Sequence, residues 1–329
     1  MTTTPKTTLP EEFSTYTREI MGEQRWTRFA EAMGEEPPVS VRLNPMKFRS
    51  DSMALPAEED EPVEWCREGR YLKERPMFTL DPLLHAGAYY VQEAASMYIT
   101  QVIRDHAPAD RPLMVLDLCA APGGKSTAMR SVLPEGSLLM TNEPMRPRAN
   151  ILMENIQKFG HPDVIVTNNY AIDYQRSRLQ FDVILADVPC SGEGMFRKDE
   201  GAIREWSVAN VKKCAALQRE IITDIMPCLR EGGLLVYSTC TYNRQEDEEN
   251  VDFICSEWQM EKLSERHFIP GETRSEGLYM AALRQTGSDA SQQTTISMLD
   301  SSATKKDKKQ KRRGKASAEQ AVKGAKEMS

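Results

Sequence analysis

The sequence predicts an α/β protein: a parallel, Rossmann-like sheet with helices on both faces, preceded by a smaller α+β region. Three observations carry this reading. Short apolar runs of strand length alternate with helical stretches between residues 111 and 285. Several of these runs end in an acid or a thiol, followed by Pro or Gly. Apolar content vanishes after residue 285, where Ser, Thr, Gln, Lys and Ala take over. The chain has 329 residues, which fits about two domains at roughly 100–200 residues each. The expected organisation is a region at 1–110, the α/β domain at 111–285 and a basic tail at 286–329.

The elements of the middle region follow in order. Residues 113–118 form an apolar run that ends before a Pro-Gly-Gly turn, so they read as a buried strand. Residues 124–132 read as a helix and 137–142 as a second strand. Residues 148–159 carry Ile151, Leu152 and Ile156 at helical spacing, and Gly160 closes that helix. A third strand is expected at 163–167 and a fourth at 181–186. Residues 208–229 form a long amphipathic helix closed by Gly232 and Gly233, and 234–238 a fifth strand. Sheets of this kind bind ligands at the carboxyl ends of their strands. The tail includes Lys305, Lys306, Lys308, Lys309, Lys311, Arg312 and Arg313. It reads as solvated and disordered, a state compatible with nonspecific phosphate binding.

Composition excludes several classes. Lys+Arg number 42 against 49 Asp+Glu, a formal net charge of -7, so a uniformly basic nucleic-acid coat is excluded while a local basic groove is not. The seven cysteines contain no CxxC pair, and their odd number points to a reducing cytosol. The first residues lack an apolar signal region, and no apolar run approaches the roughly 18 residues of a membrane span. A cytoplasmic protein without membrane contact is expected. His85, His106, His161 and His267 have no ligand spacing, so no metal is expected.

Four motifs carry chemistry. The stretch from Val115 to Thr127 sets Asp117 and then a Gly-rich turn, Cys119-Ala120-Ala121-Pro122-Gly123-Gly124-Lys125, between a strand and a helix. Glycines admit a ligand close to the backbone, and the helix start favours negative groups. A dinucleotide fingerprint is absent, and Cys119 stands where a phosphate-binding loop needs Gly, which disfavours a nucleotide triphosphatase. Glu143 ends the next strand, where a carboxylate commonly accepts ribose hydroxyls; it would equally serve to cap the next helix. Asp187-Val-Pro-Cys190-Ser-Gly-Glu-Gly and Ser238-Thr-Cys240-Thr end two further strands. If these strands are neighbours, both thiols enter one cleft and suggest nucleophilic catalysis; a disulfide is the competing reading.

Together these motifs resemble the Nol/Nop/Sun family of RNA cytosine-5 methyltransferases. Ser40-Val-Arg42-Leu-Asn-Pro-Met-Lys47, Tyr90 to Met97 and Glu276 to Leu283 extend the resemblance over roughly residues 10–285. It implies a class I methyltransferase sheet, an RNA-binding N-terminal region and S-adenosylmethionine as cofactor. By resemblance the loop Cys119–Lys125 wraps that cofactor, Glu143 holds its ribose, Arg148 lies near it, and Asp187 stands between cofactor and base. The chemistry of cytosine then gives Cys240 the role of nucleophile at C6, with Asp187 hydrogen-bonding the base near N3. The family assigns Cys190 to release of the product. DNA cytosine-5 enzymes use the Pro-Cys cysteine as nucleophile instead, so Cys240 after Thr239 favours the RNA class. A target base must be single-stranded or flipped, and its phosphates need cations. Arg42, Lys47, Arg197 and Lys198 are the candidates.

Two departures stand out. Tyr170 occupies a position where related bacterial sequences carry an acid at the adenine edge, so either Tyr170 or Asp173 is left to make that contact. The ribosomal-RNA members continue into further RNA-binding domains where this chain ends in its lysine-rich tail. Ribosomal RNA, free or in a ribosomal particle, is the leading substrate. Transfer RNA with the same chemistry, or a noncatalytic RNA-binding assembly factor, are the alternatives.

Overall fold

The computed structural model describes residues 9–287, so the expectation for the basic tail lies outside the described residues. Two helices open the described chain, α1 (Glu11–Met21) and α2 (Glu23–Ala32). A first group of strands follows: β1 (Val39–Leu43), β2 (Glu59–Pro62), β3 (Gly69–Leu72) and, after the short α3 (Pro82–His85), β4 (Tyr89–Val91). They form an antiparallel sheet in the order β2-β3-β1-β4. Helix α4 (Ile99–His106) leads into the second sheet.

The second sheet alternates with helices as expected. Its elements are β5 (Met114–Asp117), α5 (Gly124–Arg130), β6 (Leu138–Asn142), α6 (Arg146–Phe159), β7 (Val164–Thr167), α7 (Ala171–Ser177) and β8 (Phe181–Asp187). Then come α8 (Glu200–Glu205), α9 (Val208–Ile225), β9 (Leu229–Thr239), α10 (Glu248–Trp258), β10 (Met260–Phe268) and β11 (Leu278–Gln285). The strand order is β10-β11-β9-β8-β5-β6-β7. β7, β6, β5, β8 and β9 run parallel, and β11 inserts antiparallel between β9 and β10. Because β6 lies on one side of β5 and β8 on the other, the chain changes direction there. A crevice opens at the carboxyl ends of these strands, where such folds take their ligands. Residues 181–186 of β8 are all buried because helices cover both faces.

The elements on either side of Pro227 differ from expectation. The long helix ends at Ile225 rather than 229, because Pro227 in the following turn cannot continue it. Gly232 and Gly233 are not its terminator. They lie within β9, which begins five residues earlier than expected and carries an irregularity against β8. α7, α8, α10 and β10 had no counterpart in the sequence reading. Where helices were expected, their ends follow ordinary rules. Pro147 sits at the start of α6, Gly160 closes it at φ 83°, and the Ser207 hydroxyl accepts from Asn210 N–H at the start of α9.

The described residues up to Thr286 form one compact unit. A tight contact joins the antiparallel sheet to α6. Asn44 Nδ2 donates to Gly87 O at 2.9 Å and to Phe159 O at 3.0 Å. Gly87 has φ 71°, and a Cβ there would stand 1.8 Å from Lys158 O. Gly87→Ala is therefore expected to lower unfolding free energy by at least the roughly 1–3 kcal/mol of a strained left-handed residue. Urea titration checks this; a change below about 0.5 kcal/mol would remove the contact from the account.

Candidate active site

Every strand that borders the crevice ends in a polar or reactive side chain. Asp117 ends β5 fully buried, and its Oδ2 accepts from Ser126 Oγ at 2.6 Å. Its Oδ1 is buried without a partner among the described residues. Burial, reinforced by Asp187 and opposed by the Ser126 bond, pushes this carboxyl up to about 7. The loop that follows turns at Gly123, with φ 111°. Its carbonyls are held by α6: Arg148 Nη2 donates to Ala121 O at 3.1 Å and Asn155 Nδ2 to Pro122 O at 2.8 Å. Ala120 N–H donates to Asn142 O, and Asn142 Nδ2 returns a bond to Leu118 O. Thus Cys119, Ala120, Ala121, Pro122, Gly123, Gly124 and Lys125 form a braced loop over the crevice.

Glu143 is 1% exposed at the end of β6. One oxygen accepts from Met145 N–H at 2.9 Å and the other lies 3.4 Å from Arg148 Nη1. Asp187 ends β8, and its Oδ2 lies 2.9 Å from Lys125 Nζ. Burial disfavours the Lys125 charge, but the bond and charge of Asp187 outweigh it and raise the amine above its ordinary value. Cys119 is different from the strand-end thiols. Burial among Asp117, Asp187 and Glu143 pushes its thiol far up, so it is held protonated.

β8 and β9 are neighbours, with Asp187 beside Ser238. Cys190 and Cys240 consequently meet, with sulfurs 2.9 Å apart, and both are free thiols. Cys240 N–H also points to Cys190 Sγ at 3.4 Å. The hydrogen bond with Cys240, together with burial, raises the Cys190 thiol well above its ordinary value. Two buried carboxylates are exchanged between the loops. Glu193, on the Cys190 loop, accepts Tyr242 N–H of the Cys240 loop at 2.7 Å. Glu246, beyond Cys240, accepts Ser191 N–H of the Cys190 loop at 3.0 Å. Asn243 donates to both carboxylates, at 3.1 and 2.9 Å. A third buried acid, Asp247, accepts Thr239 and Thr241 hydroxyls at 2.5 and 2.8 Å. Burial raises all three carboxyls, Glu193 to about 7. Glu193 stood inside an expected motif without being singled out; Glu246 and Asp247 follow a thiol and carried no separate signal.

The expected RNA contacts divide. Arg42 is 1% exposed and donates to Gln92 Oε1 at 2.8 Å and Thr127 Oγ1 at 2.6 Å. Arg197 has a side chain 5% exposed, paired with Glu276 at 2.9 Å and donating to Ala32 O and Ser275 O. Both side chains are held inside the fold as braces rather than on its outer surface, a correction to the expected role. Lys47 Nζ donates to Ala86 O at 3.0 Å and Lys158 O at 2.6 Å and is less buried. Lys198 is 32% exposed, 3.5 Å from Glu276. Asp173 does not swing toward the crevice. It accepts Tyr170 N–H at 3.1 Å at the start of α7, which leaves the Tyr170 side chain exposed. Among the described residues no cluster of potential metal ligands occurs, and no helix is long and apolar enough to cross a membrane.

With this geometry in view, the comparisons with known proteins agree. The family described as 16S rRNA methyltransferase RsmB/F matches residues 106–284, and the N-terminal domain of 16S rRNA methyltransferase RsmF matches residues 9–94. Ribosomal RNA small subunit methyltransferase F of Pectobacterium atrosepticum is 33% identical over 85% of this chain and 63% of its own length. The protein of the same name from Cronobacter sakazakii is 32% identical over 85% of this chain and 64% of its own. The chain thus spans under two thirds of the length of these relatives. Among solved structures, NSun6 from Pyrococcus horikoshii with SFG superposes with a TM-score of 0.74 at 18% identity, over 85% of this chain and 99% of that one. At that identity it shows the fold alone. The chain belongs to the RsmB/F family of 16S rRNA methyltransferases.

The buried acids generate a pH prediction. Asp117 and Glu193 hold their protons up to about 7 in the fold but release them at ordinary carboxyl values when unfolded. The folded state therefore binds more protons between roughly pH 5 and 7, and stability falls as pH rises through that window. Each group contributes a slope of about 1 kcal/mol per pH unit. Asp117→Asn and Glu193→Gln should each flatten the pH dependence of urea unfolding in this window. Unchanged slopes in both variants would contradict the assignment.

Proposed function

From that membership and the geometry of the crevice, we propose that the chain transfers a methyl group from S-adenosylmethionine to C5 of a cytosine in RNA. Small-subunit ribosomal RNA is the proposed substrate, which also implies action in the cytoplasm. One observation carries the reading: two free thiols 2.9 Å apart at the ends of adjacent strands, in a crevice shared with Asp187 and its Lys125 partner.

The residues around the loop fit the cofactor. Among the described residues Asp117 leaves a buried carboxylate oxygen without a partner, and Glu143 and Asp187 add two more acids around the same loop. An acidic surround suits a ligand carrying a sulfonium and an ammonium. The loop Cys119–Lys125, Glu143 and Arg148 would hold it, with Asp187 between it and the base. When bound, S-adenosylmethionine supplies the methyl group.

The chain's own part is to make C5 of cytosine nucleophilic. C5 is unreactive until a nucleophile adds at C6, and the Cys240 thiolate is the group assigned to that addition. Asp187, protonated when engaged, would donate from Oδ1 to the base near N3 and stabilise the adduct, while Lys125 holds Oδ2 in place. Cys190 acts in release. With Cys240 bound to C6 and no longer hydrogen-bonded to it, Cys190 gives its own proton to solvent and its thiolate takes the C5 proton, so that the C5–H electrons restore the double bond and Cys240 leaves as a thiolate. The base enters this crevice single-stranded or flipped, since its C6 is unreachable in a stack.

The test uses RNA from a strain lacking the gene, purified protein and tritiated S-adenosylmethionine. Label is expected in 16S RNA, recovered as 5-methylcytosine; label confined to transfer RNA would replace the substrate. Cys240→Ser should reduce incorporation by at least about 100-fold, in the range seen when catalytic groups are removed. Cys190→Ala should leave a covalent protein–RNA species on a denaturing gel. Full activity in Cys240→Ser would overturn the nucleophile assignment.

A further inference from the structure

A cavity of about 220 Å³ lies between β4 and the C-terminal half of α6, lined by Arg42, Tyr89, Tyr90, Asn155, Lys158 and Phe159 among others. It is below the roughly 300 Å³ of an ordinary small-molecule site, so it takes one planar ring or one phosphate rather than a large ligand. Its charge is one-sided. Among the described residues two cations line it and no carboxylate does, on a chain whose formal net charge is -7.

Arg42 is the unusual member. It is 1% exposed, yet its hydrogen bonds go only to neutral acceptors: Gln92, Thr127 and, at 3.5 Å, Gly124 O. Its Nη1 makes no hydrogen bond among the described residues, and no ion pair neutralises the group. A buried guanidinium without a counter-ion is costly, and one that borders a cavity attracts an anion into it. Lys158 stands exposed at the edge, its Nζ unpaired among the described residues. Tyr90, half-buried, supplies an aromatic face of the kind on which bases stack, while Tyr89 is buried against Phe78 and shapes the wall.

We propose that this cavity binds one phosphate of the RNA strand outside the target-base crevice, held between Arg42 and Lys158, with the adjoining base at its mouth against Tyr90. The inference rests on the reading of the substrate as RNA. The site also touches the cofactor loop from behind. Arg42 bonds Thr127 of α5 and Asn155 bonds Pro122 O, so the groups that line the cavity also brace the loop around the crevice. The buried Arg42, which fails as a surface contact, gains a role as the base of a recognition pocket.

Fluorescence anisotropy with a labelled 16S-derived oligonucleotide tests this on the full chain. Lys158→Glu changes an exposed side chain and should weaken binding at least tenfold and reduce the salt slope by about one. Lys212→Glu, a matched charge reversal on α9, should change affinity less than about twofold. Calorimetric affinity for S-adenosylmethionine should be the same in all three proteins. With 4-thiouridine in the oligonucleotide, crosslinks should map to the peptide containing Tyr89 and Tyr90. Equal effects of the two lysine variants, or crosslinks only elsewhere, would overturn the cavity while RNA methylation stands. AMP binding as tightly as the oligonucleotide would make it a free-nucleotide site and overturn the strand assignment. Failure of the wild-type protein to bind any RNA would overturn the substrate reading and this inference together.

Discussion

The exchange of carboxylates between the two thiol loops is the constraint on which the crevice depends. Parallel pairing of β8 with β9 fixes where the strands end, but the loops beyond have no ladder to hold them. Their N–H groups are buried and need acceptors. Glu193 reaches from one loop to Tyr242 N–H, and Glu246 reaches back to Ser191 N–H. Each carboxylate is then satisfied by further donors, including Trp206 Nε1 at 2.9 Å and Gln218 Nε2 at 2.7 Å. Loss of either would leave buried donors unpaired at a cost of about 1–3 kcal/mol each. It would also free the backbone that sets the sulfur spacing. Geometry here is maintained against electrostatics: three acids lie buried near one another, and burial raises all of them.

The N-terminal helices belong to the same device. Phe13 packs on Phe196 and Trp206 with ring centroids 4.9 and 5.2 Å apart, and Phe29 packs on Tyr242 at 5.1 Å. The residues that fix Glu193 and Tyr242 are therefore the floor on which α1 and α2 sit. Arg197 extends the join, bonding Ala32 O at the end of α2 and Glu276 before β11. On the other flank, Arg42 and Asn155 support the Gly-rich loop. The antiparallel sheet and the helices before it thus hold both walls of the crevice.

What was legible in the sequence follows from how information is carried along a chain. Apolar runs ending in Asp117, Glu143, Asp187 and Cys240 are local patterns, and the fold needed only that they be parallel neighbours. The helix end at Pro227 was also local but was outweighed by the glycines beyond it. Burial of Arg42 was not legible. It follows buried Val41 in β1, where strict alternation would turn one of the two toward water, yet both faces of that strand are covered. The Lys125–Asp187 pair joins residues 62 positions apart, and the Glu193 and Glu246 exchanges span 49 and 55. A single sequence gives no sign of such distant pairings. Tyr170 was legible as a departure, but its exposure and the engagement of Asp173 at a helix start depend on the fold.

Charge around the Gly-rich loop separates the two cofactor classes that its spacing leaves open. A triphosphate-binding loop surrounds its ligand with backbone N–H groups and a free lysine that meets the phosphates. Here the lysine of Gly124-Lys125-Ser126 is committed to Asp187 at 2.9 Å, and Asp117 and Glu143 complete an acidic surround. Bringing three or four negative charges against these groups would meet repulsion at every side. At about 4 Å, each like-charge contact costs on the order of 4 kcal/mol at the effective dielectric of a protein surface. A cation meets attraction at the same points and favours the ionised form of Asp117, whose carboxyl is otherwise raised to about 7. The acids whose burial around the loop is electrostatically costly are therefore the ones that select a sulfonium over a polyphosphate.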